Sequence, residues 1–245
     1  MGIDVSSKKA VTLNDNHERG LVTKIGTPGY NFKIQGGVYV QCVFRRSWHG
    51  RDHNDGIPLM YALKNRRGFT VDSSQAVNFY RRGRPIVRSL IPTGCFDVII
   101  PAPSSAGVAL YLAKRINRFT GQNAVLADIF LKQTVGQVLQ AAVPPDTYPG
   151  STTIRRAYRE AFERLQKLDS NSAVEIKNID KKVRGVFEPI IIIPSAKIPH
   201  GKRVLIVDDS ASTGTTLEKC ATLIRRYFRP SQIVGIVIVG PQGNL

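Results

Sequence analysis

Two kinds of apolar spacing alternate along the chain from Phe96 onward. Phe96–Ile100 (FDVII), Val204–Val207 (VLIV) and Ile233–Val239 (IVGIVIV) are short aliphatic runs, the pattern of strands buried on both faces of a parallel sheet. A further strand is predicted at about 124–127. Between these runs the apolar positions fall at helical spacing, predicting helices at about 105–119, 134–142, 154–168 and 215–227. Earlier, residues 58–64 read as a short helix, and Asp72 caps a second one running to about Arg82. Strand, turn and helix in repeated order predict an α/β fold built on a parallel sheet, with its ligand at the carboxyl ends of the strands.

The first part of the chain reads differently. Residues 1–18 are polar and without periodicity, and a loose terminus is expected. LVTKI, YNFKIQ and VYVQCVFRR follow, the last two separated by Gly36-Gly37, a hairpin signal. A small β-hairpin subdomain is therefore expected within residues 1–56, as a hood or contact surface, with residues 57–245 forming the core. VPPDTYPGST and LDSNSAVE interrupt that core, so 143–184 reads as an inserted or mobile segment.

Composition bounds the class. With 245 residues, 42% hydrophobic and 22% charged, the chain can bury a sizeable core. No apolar run is long enough for a membrane span and the start carries no signal-peptide core, so a soluble, cytoplasmic protein without membrane contact is expected. Cys42, Cys95 and Cys220 are too scattered for a zinc knuckle or a disulfide framework. His49, Asp52, His53 and Asp55 match no ligand spacing, and their loop, like Trp48 beneath it, reads as structural. The formal net charge of +17 is the unusual global quantity. It fits a polyanionic partner such as nucleic acid, or a site that handles phosphate and pyrophosphate together. No helix-turn-helix or aromatic RNA-binding motif accompanies it.

The chemistry concentrates in VLIVDDSASTGTTLEKC, Val204 to Cys220. A buried strand runs into two carboxylates, then a loop of small and hydroxyl residues, then a helix whose first N–H groups and positive dipole end face that loop. An anion fits there. Asp208 and Asp209 would repel it, but accept hydrogen bonds from a sugar diol, so a ribose carrying a phosphate is the ligand indicated. The stretch lacks the spaced glycines and Gly-Lys-Ser/Thr ending of a Walker loop. A second strand-loop-helix unit, DVIIPAPSSAG, repeats the arrangement with weaker chemistry.

Val204 to Leu217 resembles the phosphoribosyl-pyrophosphate (PRPP) signature of type I phosphoribosyltransferases. That resemblance implies a Rossmann-like phosphoribosyltransferase core, with Asp208 and Asp209 on the ribose hydroxyls. Ser210, Ala211, Ser212, Thr213, Gly214 and Thr215 would surround the 5′-phosphate. Ala102, Pro103, Ser104 and Ser105 would bind pyrophosphate, mostly through backbone N–H groups. Basic residues of a mobile loop are sought among Arg155, Arg156, Arg159, Lys181, Lys182 and Arg184. Mg²⁺ would be held mainly by the ligand, near Asp208 and Asp209, with no direct metal cage. The order YALKNRRG, DVIIPAPSS, VRGVFEP, GKRVLIVDDSASTGTTL is similar to the competence-associated branch of the family, without its N-terminal zinc module. What the resemblance implies is transfer of ribose 5-phosphate from PRPP to a nucleobase or amine, by a homo-oligomer. Two alternatives stay open: a non-catalytic PRPP sensor that binds nucleic acid, and a transferase acting on a base within nucleic acid.

Overall fold

The computed structural model describes residues 2–22, 30–46, 58–104, 106–121, 124–176, 179–180, 182–211 and 213–242. In chain order they form β1 (Gly2–Val5), β2 (Val11–Asn14), β3 (Leu21–Val22), β4 (Tyr30–Lys33), β5 (Tyr39–Arg46), α1 (Pro58–Leu63), α2 (Ser73–Leu90), β6 (Val98–Pro101), α3 (Val108–Thr120) and β7 (Val125–Leu126). Then come β8 (Phe130–Lys132), α4 (Val135–Ala141), α5 (Thr152–Gln166), β9 (Ile190–Ile192), β10 (Arg203–Ser210), α6 (Thr215–Phe228) and β11 (Gln232–Gln242). Residues 1–128 and 197–245 make one compact unit, and residues 129–196 make another.

The first unit is α/β, with a mostly parallel central sheet of order β3-β5-β11-β10-β6-β7. β5, β11, β10, β6 and β7 run parallel, while β3 and β4 add to β5 antiparallel. Six consecutive residues of β10, Val204 to Asp209, are buried, as a strand covered on both faces requires. On one face α2 and α3 pack Phe79, Val87, Leu112 and Ile116 with Ile99, Leu205, Val207 and Ile236. On the other, Gly235 lies where an added Cβ would meet Leu217 of α6. At the amino ends of β6 and β10, Asp97 and Arg203 form a two-pronged ion pair, and the guanidinium holds the Asp97 carboxyl well below the usual carboxylate range.

Several expectations are corrected here. The hairpin forms at Gly36-Gly37, both with positive φ, but it is no separate N-terminal subdomain. β5 pairs with β11 along its length and so joins the central sheet. The terminus is not loose either: β1 pairs with β2, Ile3 and Val11 enter the core, and Asp15 pairs with Arg82 of α2. α2 does not stop near Arg82. It continues through Pro85 to Leu90, because the buried stripe Phe79, Gly83, Val87 holds it against the sheet. The break in the core is wider than 143–184, since β8 and β9 enclose it as an antiparallel pair within the 129–196 unit.

That second unit has its own core. Tyr158 of α5 is stacked between Tyr148, at 3.9 Å between ring centroids, and Phe187, at 5.0 Å, and its hydroxyl donates to the Val143 carbonyl. Val135, Val138, Leu165, Ile179 and Val183 close around it. Thr134 and Gln137 cap α4 reciprocally. A strand-then-helix continuation of the parallel sheet was expected from 124 to 142; instead β7 ends the sheet and α4 belongs to this unit. The free cysteines are separate, with Cys42 and Cys220 buried, and burial pushes the Cys42 thiol up to about 12. No described helix is long and apolar enough to cross a membrane.

Candidate functional site

β10 carries the acid pair to the carboxyl edge of the sheet. Asp208 and Asp209 are 8% and 3% exposed, which is unusual for carboxylates and demands partners. The Asp209 N–H donates to Asp208 Oδ1 at 2.8 Å, so the first carboxylate is turned back onto the backbone of the second. Ser210 Oγ donates to Asp209 Oδ1 at 2.9 Å. Past Ala211 the chain enters α6 through Gly214, at φ 74°, the left-handed region glycine tolerates. Gly214 offers no side chain to cap the helix, and among the described residues no acceptor takes the first N–H groups of α6, the arrangement that suits an outside anion. A Cβ there would overlap Ile34 beside the hairpin turn, so this glycine also permits a close approach. Thr213 and Thr215 share a 2.8 Å hydrogen bond between their hydroxyls at the mouth of the loop.

The second loop emerges beside the first. β6 and β10 are parallel neighbours with Pro101 opposite Val207, and α3 is likewise entered through a left-handed glycine, Gly107 at φ 65°. Ser104 Oγ reaches Asp209 Oδ2 in a long 3.4 Å contact. The expected amide donors are narrowed, however. The Ala102 N–H already donates to the Val207 carbonyl at 2.7 Å, and the Ala211 N–H to the Val239 carbonyl at 3.0 Å. Pro103 has no N–H. These three residues shape the two loops; the Ser104 and Ser210 hydroxyls donate to Asp209, so the Thr213–Thr215 hydroxyl pair and the start of α6 are the donors that face the loop.

A residue not singled out in the sequence belongs to the cluster. Lys64, at the end of α1, places Nζ 2.6 Å from Asp209 Oδ1, with side chains 18% and 4% exposed. Its signal lay within YALKNRRG, but Asp209 is 145 residues away and nothing local pairs them. Among the described residues no group of three His, Cys, Asp or Glu could hold a metal ion. The donors present, two carboxylates and several hydroxyls, suit a hard cation whose remaining ligands come from a phosphorylated molecule.

The basic candidates lie in the 129–196 unit, which is folded rather than a simple loop. Arg155, Arg156 and Arg159 occupy the exposed face of α5, where Arg156 pairs with Glu160 and Arg159 with Asp146, each at 2.9 Å. Arg184 Nε donates to the Ile179 carbonyl, and the Lys182 N–H to Asp180 Oδ1. Ser105, Ser212 and Lys181 lie outside the described residues, as do Trp48 and the His49–Asp55 loop.

Residues 162–241 match the family described as the phosphoribosyl transferase domain. The match begins in α5 and runs through the acid pair and the α6 loop into β11. Among solved structures, the chain is similar to a purine phosphoribosyltransferase from Pyrococcus horikoshii, at 18% identity over 70% of this chain and 91% of that one, with a TM-score of 0.29. No curated protein matches the chain.

Proposed function

We propose that the protein binds PRPP together with Mg²⁺ and transfers its 5-phosphoribosyl group to a nitrogen acceptor, a nucleobase or an amine, releasing pyrophosphate. One observation carries the reading: the acid pair at the end of β10 and the hydroxyl-rich loop that follows lie next to the small-residue loop after β6, on one edge of a parallel sheet. Sites of this kind bind their ligand in the crevice at the strands' carboxyl ends. The match over 162–241 supports phosphoribosyl transfer as the general chemistry.

In this reading the ribose hydroxyls donate to Asp208 and Asp209, and the 5′-phosphate accepts from the first N–H groups of α6 and from Thr213 and Thr215. The acceptor's nitrogen lone pair forms the new bond at ribose C1 while the C1–O bond to pyrophosphate breaks, its electron pair leaving with pyrophosphate. The nitrogen then loses a proton to solvent. Positive charge grows on the ribose, beside the carboxylates, and negative charge on the departing oxygens, near Ser104. Mg²⁺, when bound, would offset the charge of pyrophosphate.

Calorimetric titration of PRPP with and without Mg²⁺ tests the binding. The Asp208→Asn, Asp209→Asn double variant is expected to lose PRPP while keeping the wild-type circular dichroism spectrum. Unchanged affinity in that variant would sink the site. Turnover is checked by release of pyrophosphate from labelled PRPP with a panel of nucleobases and amines.

A second reading, a nucleic-acid-binding PRPP sensor without transfer, is favoured by one surface. α2 and α3 pack together and contain no acidic residue, while Arg81, Arg84, Arg88, Lys114 and Arg118 are exposed on them. Arg84 lies over Phe119, and Arg115 over Tyr111. Oligonucleotide binding by this face should weaken steeply with salt. Oligonucleotide binding without any pyrophosphate release would favour this reading over transfer.

A further inference from the structure

We propose that Lys64 is a positioning residue of the PRPP site, acting through Asp209; the inference rests on the reading above and names a participant that reading lacks. The 2.6 Å ion pair joins the end of α1 to the acid pair. Asp209 Oδ1 accepts from both Lys64 and Ser210, which orients the carboxylate and turns Oδ2 toward Ser104 of the other loop. The ammonium also offsets one of two adjacent negative charges at a place where a phosphate-bearing ligand must approach. Because both groups are largely withdrawn from water, that compensation is only weakly screened.

The backbone around Lys64 shows that its placement is held against a local cost. Asn65 adopts φ 50° just past the end of α1, the left-handed cap position that asparagine tolerates, and Arg67 adopts φ 56°, which a longer side chain avoids. Such strain persists only where the surroundings over-determine it. Here the Arg66 N–H donates to the Tyr61 carbonyl, Lys9 Nζ donates to the Arg67 carbonyl, and the Arg67 guanidinium lies over the Tyr61 ring, which stacks on Phe69. The turn delivers Lys64 to Asp209 as a fixed group rather than as a searching surface lysine.

Titration of PRPP in Mg²⁺ into wild type, Lys64→Met, Asp209→Asn and the double variant tests this. Loss of one charge-assisted contact predicts about tenfold or more weaker binding for Lys64→Met, and a lower Mg²⁺ concentration for half-maximal PRPP binding as Mg²⁺ meets the uncompensated carboxylate, which a purely structural lysine would not change. The double variant is expected to bind no more weakly than the weaker single one, because both substitutions act through the same carboxylate. Wild-type affinity in Lys64→Met, or losses that multiply in the double variant, overturns the proposal. Should Lys64→Met not fold, the side-chain NMR signal of Lys64 in the wild-type protein decides: a shift on adding PRPP and Mg²⁺ supports the role, and an unmoved signal overturns it. A wild-type protein that binds no PRPP removes the functional reading itself, and the inference with it.

Discussion

Pro101 lies opposite Val207 in the parallel register of β6 and β10, and this neighbour relationship brings Ser104 to Asp209 across 105 residues of sequence. The two loops therefore share one electrostatic environment. A carboxylate introduced at the half-buried Ser104 would stand against Asp209 and against any anion between the loops. Ser104→Asp is expected to weaken pyrophosphate binding by about tenfold or more and, through the same repulsion, to lower the melting temperature by a few degrees. Calorimetry with pyrophosphate and a thermal melt measure the two effects separately.

Gly214 combines a left-handed backbone with a close neighbour. An alanine there would carry the left-handed cost and also overlap Ile34. Gly214→Ala should destabilise the protein by about 2 kcal/mol or more, read from denaturant unfolding. Gly94 is the control, since it too has positive φ but nothing within 4 Å of an added Cβ; Gly94→Ala should cost less.

Asp97 and Arg203 predict a direction in pH. The Asp97 pKa is lowered, first through the hydrogen bonds from the Arg203 side chain and then from its backbone. A carboxyl lowered in the folded state contributes stability that is fully present above its unfolded value, about 3.9, and is lost as pH falls through the folded one. The stability difference between wild type and Asp97→Asn should therefore be constant from neutral pH down to about 5 and shrink below about 4. A difference that grows on acidification would contradict the assignment.

Tyr158 organises the 129–196 unit. Tyr158→Ala removes a fully buried ring stacked on both sides and should cost about 3–5 kcal/mol. Tyr158→Phe keeps both stacks and loses only the hydrogen bond to Val143, at about 1 kcal/mol. Denaturant unfolding of the full chain, with protease sensitivity of the 129–196 segment as a local readout, distinguishes the two.

Local pattern made the strands of the central sheet and most helices legible. Val98–Pro101, Arg203–Ser210 and Gln232–Gln242 form strands where unbroken apolar runs predicted them, because burial on both faces demands such runs. The Gly36-Gly37 turn was readable for the same kind of local reason. The end of α2 was not, since Pro85 signals a stop and only packing of Val87 and its neighbours against the sheet overrides it. β8 and β9 were missed because Phe130–Lys132 and Ile190–Ile192 are three residues each and find one another across 58 positions.

By itself, the sequence determined the α/β alternation and one complete loop of the candidate site, because strand, acids, hydroxyls and glycine are contiguous between Val204 and Leu217 and each acts on its immediate neighbours. Tertiary structure alone decided what that loop faces. Strand order set the 102–107 loop beside it, carbonyl partners removed the Ala102 and Ala211 amides from the donor set, and a turn after α1 brought Lys64 to Asp209. Such pairings depend on which strands become neighbours, a choice made by the whole buried sheet and carried by no single stretch of residues.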